Sequence, residues 1–248
     1  MSILDKFPKH RTELPDDYRM IYKTHYLSNR EGKYKTTSLS QKLESWMHRK
    51  VAGDLTHMES TFSTMEIGAG TLNQLHYEPE GLPYEIIEPF RELFEKSPLL
   101  PRVQAVYSDI AEIPEDRKYD RITSAATFEH IMDLPFVVAS AARHLAARGH
   151  LRVAIPNEGT VLWTLGAKIT GFEFRKRYGL DYRILMQHEH VNTADEIEEV
   201  LHYFFCSCRC SVFGLSRGLA LYRFYDCSDP NIQRISGYFE RRRSESGL

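Results

Sequence analysis

The chain has 248 residues, of which 42% are apolar and 12% aromatic, and this composition is enough for a sizeable hydrophobic core within one or two domains. Its formal net charge of −2 gives no general attraction to phosphate backbones, so we expect no nucleic-acid partner. No apolar run reaches the roughly 18 residues of a membrane span, and residues 1–6 lack the apolar core of a signal peptide. We therefore expect a cytoplasmic protein.

The first 61 residues are polar and aromatic and contain one helical pattern. Leu43, Trp46, Met47 and Val51 recur at roughly helical spacing, with mostly polar residues between them. We interpret this region as an N-terminal cap packed on the core. Two interpretations are open for its aromatic and basic residues, which either bind a ligand or cover the core. These residues are Tyr22, His25, Tyr26, Arg30 and Tyr34.

A glycine turn follows the first predicted strand, residues 62–67. It reads Glu66-Ile67-Gly68-Ala69-Gly70-Thr71, and a second strand ends at Glu88 about 20 residues later. This arrangement is typical of α/β proteins that hold an adenosyl cofactor. The glycines let the backbone pass close to the ligand, and the second acid accepts the ribose hydroxyls.

The turn also indicates which cofactor is bound. Leu72 and Asn73 follow the second glycine, where a dinucleotide-binding fold has a third glycine, and Glu66 would repel a pyrophosphate. The same acid, directly or through water, suits a ligand that carries an ammonium and a sulfonium group. The turn therefore predicts S-adenosylmethionine as cofactor and methyl donor.

The third predicted strand, residues 103–107, ends in a similar way. Asp109 follows it, where an acid can accept the adenine amino group, and Ile110 can cover the adenine ring. Glu66, Glu88 and Asp109 thus close three successive strands at intervals of about 20 residues. Each acid alone is more often a solvated loop carboxylate, but the periodicity favours a cofactor site.

These motifs, together with Phe128-Glu129-His130 after strand four, resemble the class I S-adenosylmethionine-dependent methyltransferases. The resemblance covers residues 63–227 and implies an α/β fold. In that fold a seven-stranded, mostly parallel sheet of the Rossmann-like methyltransferase type has a reversed last strand and helices on both faces. Leu72 departs from the third glycine of many members, which is a common variation. The residues expected to bind the cofactor are Glu66, Gly68, Gly70, Glu88, Asp109, Ile110 and Thr127.

The remaining elements are predicted in chain order. Helices open at Thr71 and Pro89, and strand four spans 121–124. Asp133 caps a helix that Gly149 stops, and strand five spans 150–155. Thr193 opens a capping box, and a hairpin of residues 208–213 and 219–227 completes the sheet. We predict a cap at 1–61, a core at 62–228 with an insertion at 157–192, and a peripheral or partly disordered tail at 229–248.

Three histidines are candidates for the base that a hydroxyl acceptor needs. His130 lies just past strand four, where the structural alternative is a histidine bonded to backbone or cofactor. His188 and His190 end the insertion and would lie on one side of an extended segment. We favour these two over His130, the alternative being ordinary loop polar groups. The insertion also offers acceptor contacts from Trp163, Phe172, Phe174, Arg175, Arg177, Tyr178, Tyr182 and Arg183.

The acceptor is expected to be a small molecule or a carbohydrate, and its nucleophile an oxygen. Residues 124–127 replace the Asn/Asp-Pro-Pro-Tyr/Phe signature of family members that methylate exocyclic base amines, so base methylation is disfavoured. A small amine or carboxylate is the next choice, ahead of protein side chains, and a homodimer is compatible with the sequence. The alternative functions are an NAD-dependent oxidoreductase and a non-catalytic protein that binds S-adenosylmethionine or S-adenosylhomocysteine and regulates a partner.

The cysteines are not expected to bind metal. Cys206, Cys208 and Cys210 would share one face of a strand, but their spacing matches no common zinc pattern. Together with Cys227 they are expected to be reduced thiols.

Overall fold

The computed structural model describes residues 2–19, 21, 38–55, 59–158, 171–172 and 174–246. Its strands are β1 (Thr64–Ile67), β2 (Tyr84–Ile87), β3 (Ala105–Tyr107), β4 (Tyr119–Ala125), β5 (Leu145–Pro156), β6 (Phe205–Gly214) and β7 (Ala220–Pro230). The α-helices of the described residues include α1 (Ser38–Val51), α2 (Leu134–His144), α3 (Tyr182–Glu189), α4 (Ala194–Phe204) and α5 (Ile232–Ser246). The described helices include none that is long and apolar enough to cross a membrane.

The strands form one seven-stranded sheet in the order β3-β2-β1-β4-β5-β7-β6. Strands β1 to β5 pair in parallel, and β7 runs antiparallel to both β5 and β6. The chain reverses its direction of progress across the sheet between β1 and β4, which is where open α/β sheets bind ligands. The predicted sheet with a reversed last strand is confirmed.

Alternate residues of β5 face two different layers. Val153 and Ile155 belong to a large buried cluster that includes residues of α2, α4 and α5. Ala154, between them, packs with Met47 and Val51 of α1. Since successive side chains of a strand point to opposite faces, helices cover both faces of the sheet. The C-terminal helix α5 therefore belongs to the core layer, with Ile235 and Tyr238 buried in the large cluster.

Two buried arginines of the central strands fix the C-terminus of α1. Arg121 and Arg152 both donate to the carbonyl oxygen of Val51, at 3.3 and 2.8 Å. Cations near the last turn of a helix satisfy carbonyl groups that have no partner within the helix. Asp54 and Glu78 form ion pairs with Arg121, whose side chain is fully buried. These contacts hold α1 on the sheet.

The predicted helices after β1 and β2 are wrong, because only single 3-10 turns occur there, at Asn73–His76 and Arg91–Leu93. Leu72 lies in the left-handed region at φ 68°, which is not helical. Pro79 and Pro83 then prevent the chain from continuing as a helix before β2. By contrast, the Asp133 cap and the Thr193 capping box form as predicted.

The boundary between α2 and β5 also differs from the prediction. The helix ends at His144, and β5 starts at Leu145, so Gly149 lies inside the strand and does not stop the helix. Pairing explains the shift, since Leu145 lies opposite Tyr119 at the start of β4.

The structure contains a disulfide between Cys208 and Cys227, so the expectation of reduced thiols is wrong for this pair. The register of β6 and β7 places the two residues directly opposite each other, with their Cα atoms 4.1 Å apart. Cys206 and Cys210 are free thiols.

Candidate active site

The glycine turn after β1 leaves no room for side chains. Gly68 lies at φ +74° and Gly70 at φ +51°, in the left-handed region that favours glycine. A Cβ atom on Gly68 would lie 2.3 Å from the side chain of Thr127. The close approach of this turn to the residues after β4 therefore depends on glycine at position 68.

Glu88 links the glycine turn to the end of β2. One carboxylate oxygen accepts the Gly70 N–H at 2.8 Å, and the other accepts the Phe90 N–H at 3.0 Å. The side chain is buried and lines the larger of two cavities at this edge of the sheet.

The larger cavity has a volume of about 780 Å³ and is mostly apolar. Asp109 lines it and caps a 3-10 turn by accepting the Ala111 N–H at 2.8 Å. The other lining residues that matter here are Gly68, Glu88, Ile110 and Thr127, with the apolar side chains of Phe90, Leu93, Ile131 and Val137. Carboxylates beside an apolar cleft suit an adenosine, whose ring is apolar and whose ribose and amino groups donate hydrogen bonds.

A second cavity of about 470 Å³ adjoins the first. The two share Gly68, Thr127, His130 and Glu189 among their lining residues. The second cavity is further lined by Glu66, Gly70, Leu43, Met47, His48, His190 and Tyr222. It therefore lies between the glycine turn, α1 and the end of the insertion.

Glu66 is a buried carboxyl on the second cavity. The Tyr84 hydroxyl donates to its carboxylate at 2.8 Å. Burial raises the pKa of Glu66 to about 8, against a usual value near 4.5. An ammonium group beside it would favour the ionised form, so this residue fits the amino-acid end of the predicted cofactor. Together with Glu88, Asp109 and Ile110 on the larger cavity, the residues present fit S-adenosylmethionine.

Two histidines meet at the wall of the second cavity. The rings of His130 and His190 lie 4.7 Å apart, edge to face. His130 Nδ1–H donates to the backbone carbonyl of Glu189 at 2.9 Å, and His190 Nδ1 is hydrogen-bonded to the carboxylate of Glu158. Carbonyl and carboxylate oxygens only accept, so both rings carry a proton on Nδ1.

Backbone contacts hold these two histidines together. The N–H groups of Val191 and Asn192 both donate to the carbonyl oxygen of Glu129, at 2.8 and 3.1 Å. The Asn192 side chain donates to the carbonyls of Phe128 and Ile131 at 2.8 and 2.7 Å. The end of the insertion is thereby bound to the turn after β4.

The charges around His190 oppose the effect of burial on its pKa. Burial alone would lower the pKa of His190, but the hydrogen bond with Glu158 and the charges of Glu129 and Glu189 raise the pKa above its usual value. For Tyr222, across the same cavity, burial and nearby carboxylates act in the same direction. Both raise the pKa of its phenol and keep it protonated.

His188 lies elsewhere. The segment is not extended, which was the condition for His188 and His190 to lie on one side, since α3 continues to Glu189 and contains His188. Its ring is partly exposed, donates from Nδ1 to the Thr12 carbonyl at 2.6 Å, and lines neither cavity.

Several aromatic residues of the insertion pack among themselves. Phe174 is buried with Leu185 and with Leu14 and Tyr18 of the N-terminal segment. Tyr178 and Tyr182 pack on the same cluster, whereas Phe172 is exposed. Trp163 and the cap residues Tyr22, His25, Tyr26, Arg30 and Tyr34 lie outside the described residues.

Glu158 and Tyr222 were not identified as candidate site residues from the sequence. Glu158 follows the end of β5 by two residues, so the rule that identified Glu88, an acid just past a parallel strand, could have found it. Tyr222 reaches the site only through the register of the sheet, which places it opposite Pro156. No local signal marks it.

The comparisons with known proteins agree with this geometry. The model of a family described as a methyltransferase domain matches residues 17–204. Among solved structures, a methyltransferase of Thermotoga maritima, described as a possible histamine N-methyltransferase, has a TM-score of 0.56 at 12% identity, covering 91% of this chain and 99% of that one. The plantazolicin methyltransferase BpumL has a TM-score of 0.56 at 14% identity, over 86% and 91% of the two chains.

A third solved structure, phosphoethanolamine N-methyltransferase 2 of Haemonchus contortus, has a TM-score of 0.51 at 13% identity, over 74% of this chain and 52% of that one. A search of curated protein sequences finds no significant match. At these identities the structural likenesses establish the fold. The family match spans most of the chain, including the glycine turn, His130 and His190, and the chain therefore belongs to the methyltransferase-domain family, as a class I S-adenosylmethionine-dependent methyltransferase.

Proposed function

We propose that this enzyme transfers the methyl group of S-adenosylmethionine to an oxygen atom of a small-molecule or carbohydrate acceptor, with His190 as the base. The observation that carries the proposal is the position of His190 on the cavity that also contains Glu66 and the glycine turn. A base for the acceptor has to lie where the donor's methyl group and the acceptor meet.

The protein's task in this reaction is alignment and proton removal. S-adenosylmethionine supplies a methyl carbon on a positively charged sulfur, and its carbon–sulfur bond breaks, leaving the electron pair on sulfur, as the carbon–oxygen bond forms. Glu88 and Asp109 would orient the adenosine and Glu66 the ammonium group. His190 Nε2 would take the hydroxyl proton, because Nδ1 already carries the proton shared with Glu158.

The volumes support a small acceptor. The second cavity, at about 470 Å³, falls in the range typical of small-molecule sites and also has to hold the amino-acid end of the donor. A sugar or a phenol fits this space better than a folded protein or a duplex.

An amine acceptor is the second candidate, and one observation favours it. Glu129, Glu158 and Glu189 all raise the pKa of His190, so this part of the cavity is electronegative. Negative surroundings disfavour an oxyanion and stabilise the positive charge that a neutral amine gains on methylation. Removal of an ammonium proton by His190 would then precede transfer.

The methylated atom can be identified as oxygen or nitrogen without knowing which molecule is the acceptor. The enzyme would be incubated with ¹³C-methyl S-adenosylmethionine and the small-molecule filtrate of a cell extract, and the products examined by NMR. Oxygen-bound and nitrogen-bound methyl carbons have distinct chemical shifts. We expect an oxygen-bound signal that is absent with heat-inactivated enzyme, and a signal from nitrogen-bound methyl carbon alone would favour the second candidate.

A further inference from the structure

The loop after β5 supplies a carboxylate that lies outside the lining of both cavities. Glu158 lies two residues past Pro156, lines neither cavity itself, and is hydrogen-bonded to His190 Nδ1. Both side chains are mostly buried, with 11% of His190 and 15% of Glu158 exposed.

We propose that Glu158 is a positioning residue that holds the His190 ring as a base, with Nδ1–H donated to its carboxylate and Nε2 as the atom that takes the acceptor's proton. This inference rests on the proposed role of His190 in methyl transfer. Glu158 and His190 lie near the two ends of the insertion, 32 residues apart, so tertiary packing brings them together.

Both members of the pair are attached to rigid parts of the fold. Asn157, next to Glu158, is fully buried and donates from its side chain to the carbonyls of Arg217 and Ala220 at 2.7 and 2.8 Å. Its side-chain oxygen accepts a hydrogen bond from Arg223 Nε at 2.5 Å. These contacts fix the point at which the chain leaves the sheet.

His190 is fixed from the other side of the cavity. Its N–H donates to the Met186 carbonyl at 2.8 Å and ends α3, while the next residue is bound to the Glu129 carbonyl. A carboxylate and an imidazole that are held by separate rigid elements form a preorganised pair, and preorganised orientation is what a general base requires.

The electrostatics of the pair match this task. A general base works best when its pKa lies near the working pH, and the usual pKa of histidine is about 6.5. The hydrogen bond with Glu158 opposes the effect of burial and contributes to the raised pKa of His190. The titratable groups around this ring are Glu66 of β1, Glu129 and His130 after β4, Glu158, Glu189 of α3, Tyr222 of β7, and Glu44 and His48 of α1.

The first test needs no acceptor. Histidine ring signals would be followed by NMR through a pH titration of wild type and of Glu158→Gln, with His190 assigned by the signal lost in His190→Ala. We expect a lower pKa for His190 in Glu158→Gln than in wild type, with the neutral ring of wild type protonated on Nδ1. The matched control is Glu199→Gln, an exposed carboxyl of α4. An unchanged His190 pKa, or a wild-type ring protonated on Nε2, would overturn the proposal.

The second test measures turnover on the acceptor identified by ¹³C labelling. Glu158→Gln should lower kcat at least about 10-fold, a part of the roughly 10²–10⁴-fold that a general base contributes, and should move the acidic limb of the pH profile to lower pH. Glu158→Asp keeps the charge and should recover part of the rate. S-adenosylhomocysteine affinity should not change, and it reports that each variant is folded. If Glu158→Gln does not fold, Glu158→Asp is compared with wild type in both tests.

The proposed transfer to oxygen and the proposed role of Glu158 can be refuted independently. An amine as the only acceptor would refute the proposed oxygen transfer while leaving the NMR comparison intact. A wild-type kcat and pH profile in folded Glu158→Gln would refute the role of Glu158 even if oxygen is methylated.

Discussion

In the proposed site, the three carboxylates of the donor side come from one short stretch of chain, whereas the acceptor side takes its residues from five separate ones. Glu66, Glu88 and Asp109 lie at or just past the ends of three successive strands, within residues 64–110. The acceptor side combines α1, the turn after β4, the loop after β5, the residue after α3, and β7. We infer that donor binding in this site depends mainly on local strand ends, while acceptor choice depends on how distant segments pack.

Replacing Gly68 should have the largest effect on the donor side. Gly68→Ala would force a side chain into the left-handed region and against Thr127, so we expect S-adenosylhomocysteine binding to weaken at least about 100-fold in calorimetric titration. Gly81→Ala is the matched control, because Gly81 has a similar φ of +83° with nothing within 4 Å of the added Cβ. Wild-type affinity in Gly68→Ala would remove the turn from the site.

Replacing His190 should have the largest effect on the acceptor side. His190→Ala is expected to lower kcat by about 10²–10⁴-fold with little change in S-adenosylhomocysteine affinity. Wild-type turnover should fall as pH drops through the raised pKa of His190, because the protonated ring cannot accept a proton. His202→Ala, at an exposed histidine of α4, serves as control. Equal loss of donor binding and turnover would mean that the two sides are not separate.

Glu88 gives a smaller effect on the donor side alone. Glu88→Ala should weaken S-adenosylhomocysteine binding by about 1.5–3 kcal/mol, the contribution of hydrogen bonds to a charged group. The exposed Glu95→Ala should leave calorimetric affinity unchanged. Because Glu88 also accepts the Gly70 N–H, Glu88→Gln should lose less than Glu88→Ala. Unchanged binding in a folded Glu88→Ala protein would exclude the ribose contact.

Glu66 is expected to act on a different quantity, the pH dependence of stability. Its pKa is about 8 when folded against about 4.5 when unfolded, so between these values the folded state holds the extra proton. Wild-type stability should therefore fall as pH rises from about 4.5 to about 8. In urea unfolding at pH 6 and pH 8.5, the free energy of unfolding should fall less between the two pH values for Glu66→Gln than for wild type. Parallel pH dependence in the two proteins would mean that Glu66 titrates normally.

The residues predicted for the donor side are marked by local signals at strand ends. Two glycines, an acid at each strand end and a periodic spacing indicate where the carboxyl edge of a parallel sheet lies, and the family resemblance implied the seven-stranded sheet with its reversed last strand. The helices expected after β1 and β2 do not form. After β1, the left-handed conformation of Leu72 and the following prolines allow only a single turn.

The acceptor side could not be predicted in the same way. His188 and His190 look equivalent in the sequence, and only the extension of α3 to Glu189 turns His188 toward Thr12 while His190 meets Glu158. Tyr222 enters the cavity through the antiparallel register of β5 and β7. Such contacts depend on tertiary packing, which no spacing of residues encodes locally.

The most direct test of the two-sided site is a crystal structure with S-adenosylhomocysteine. We expect the adenine beside Asp109 and Ile110, the ribose hydroxyls on Glu88, the amino group beside Glu66, and the sulfur directed into the cavity that His190 and Tyr222 line. A ligand bound away from the glycine turn, or with its sulfur directed away from His190, would contradict it.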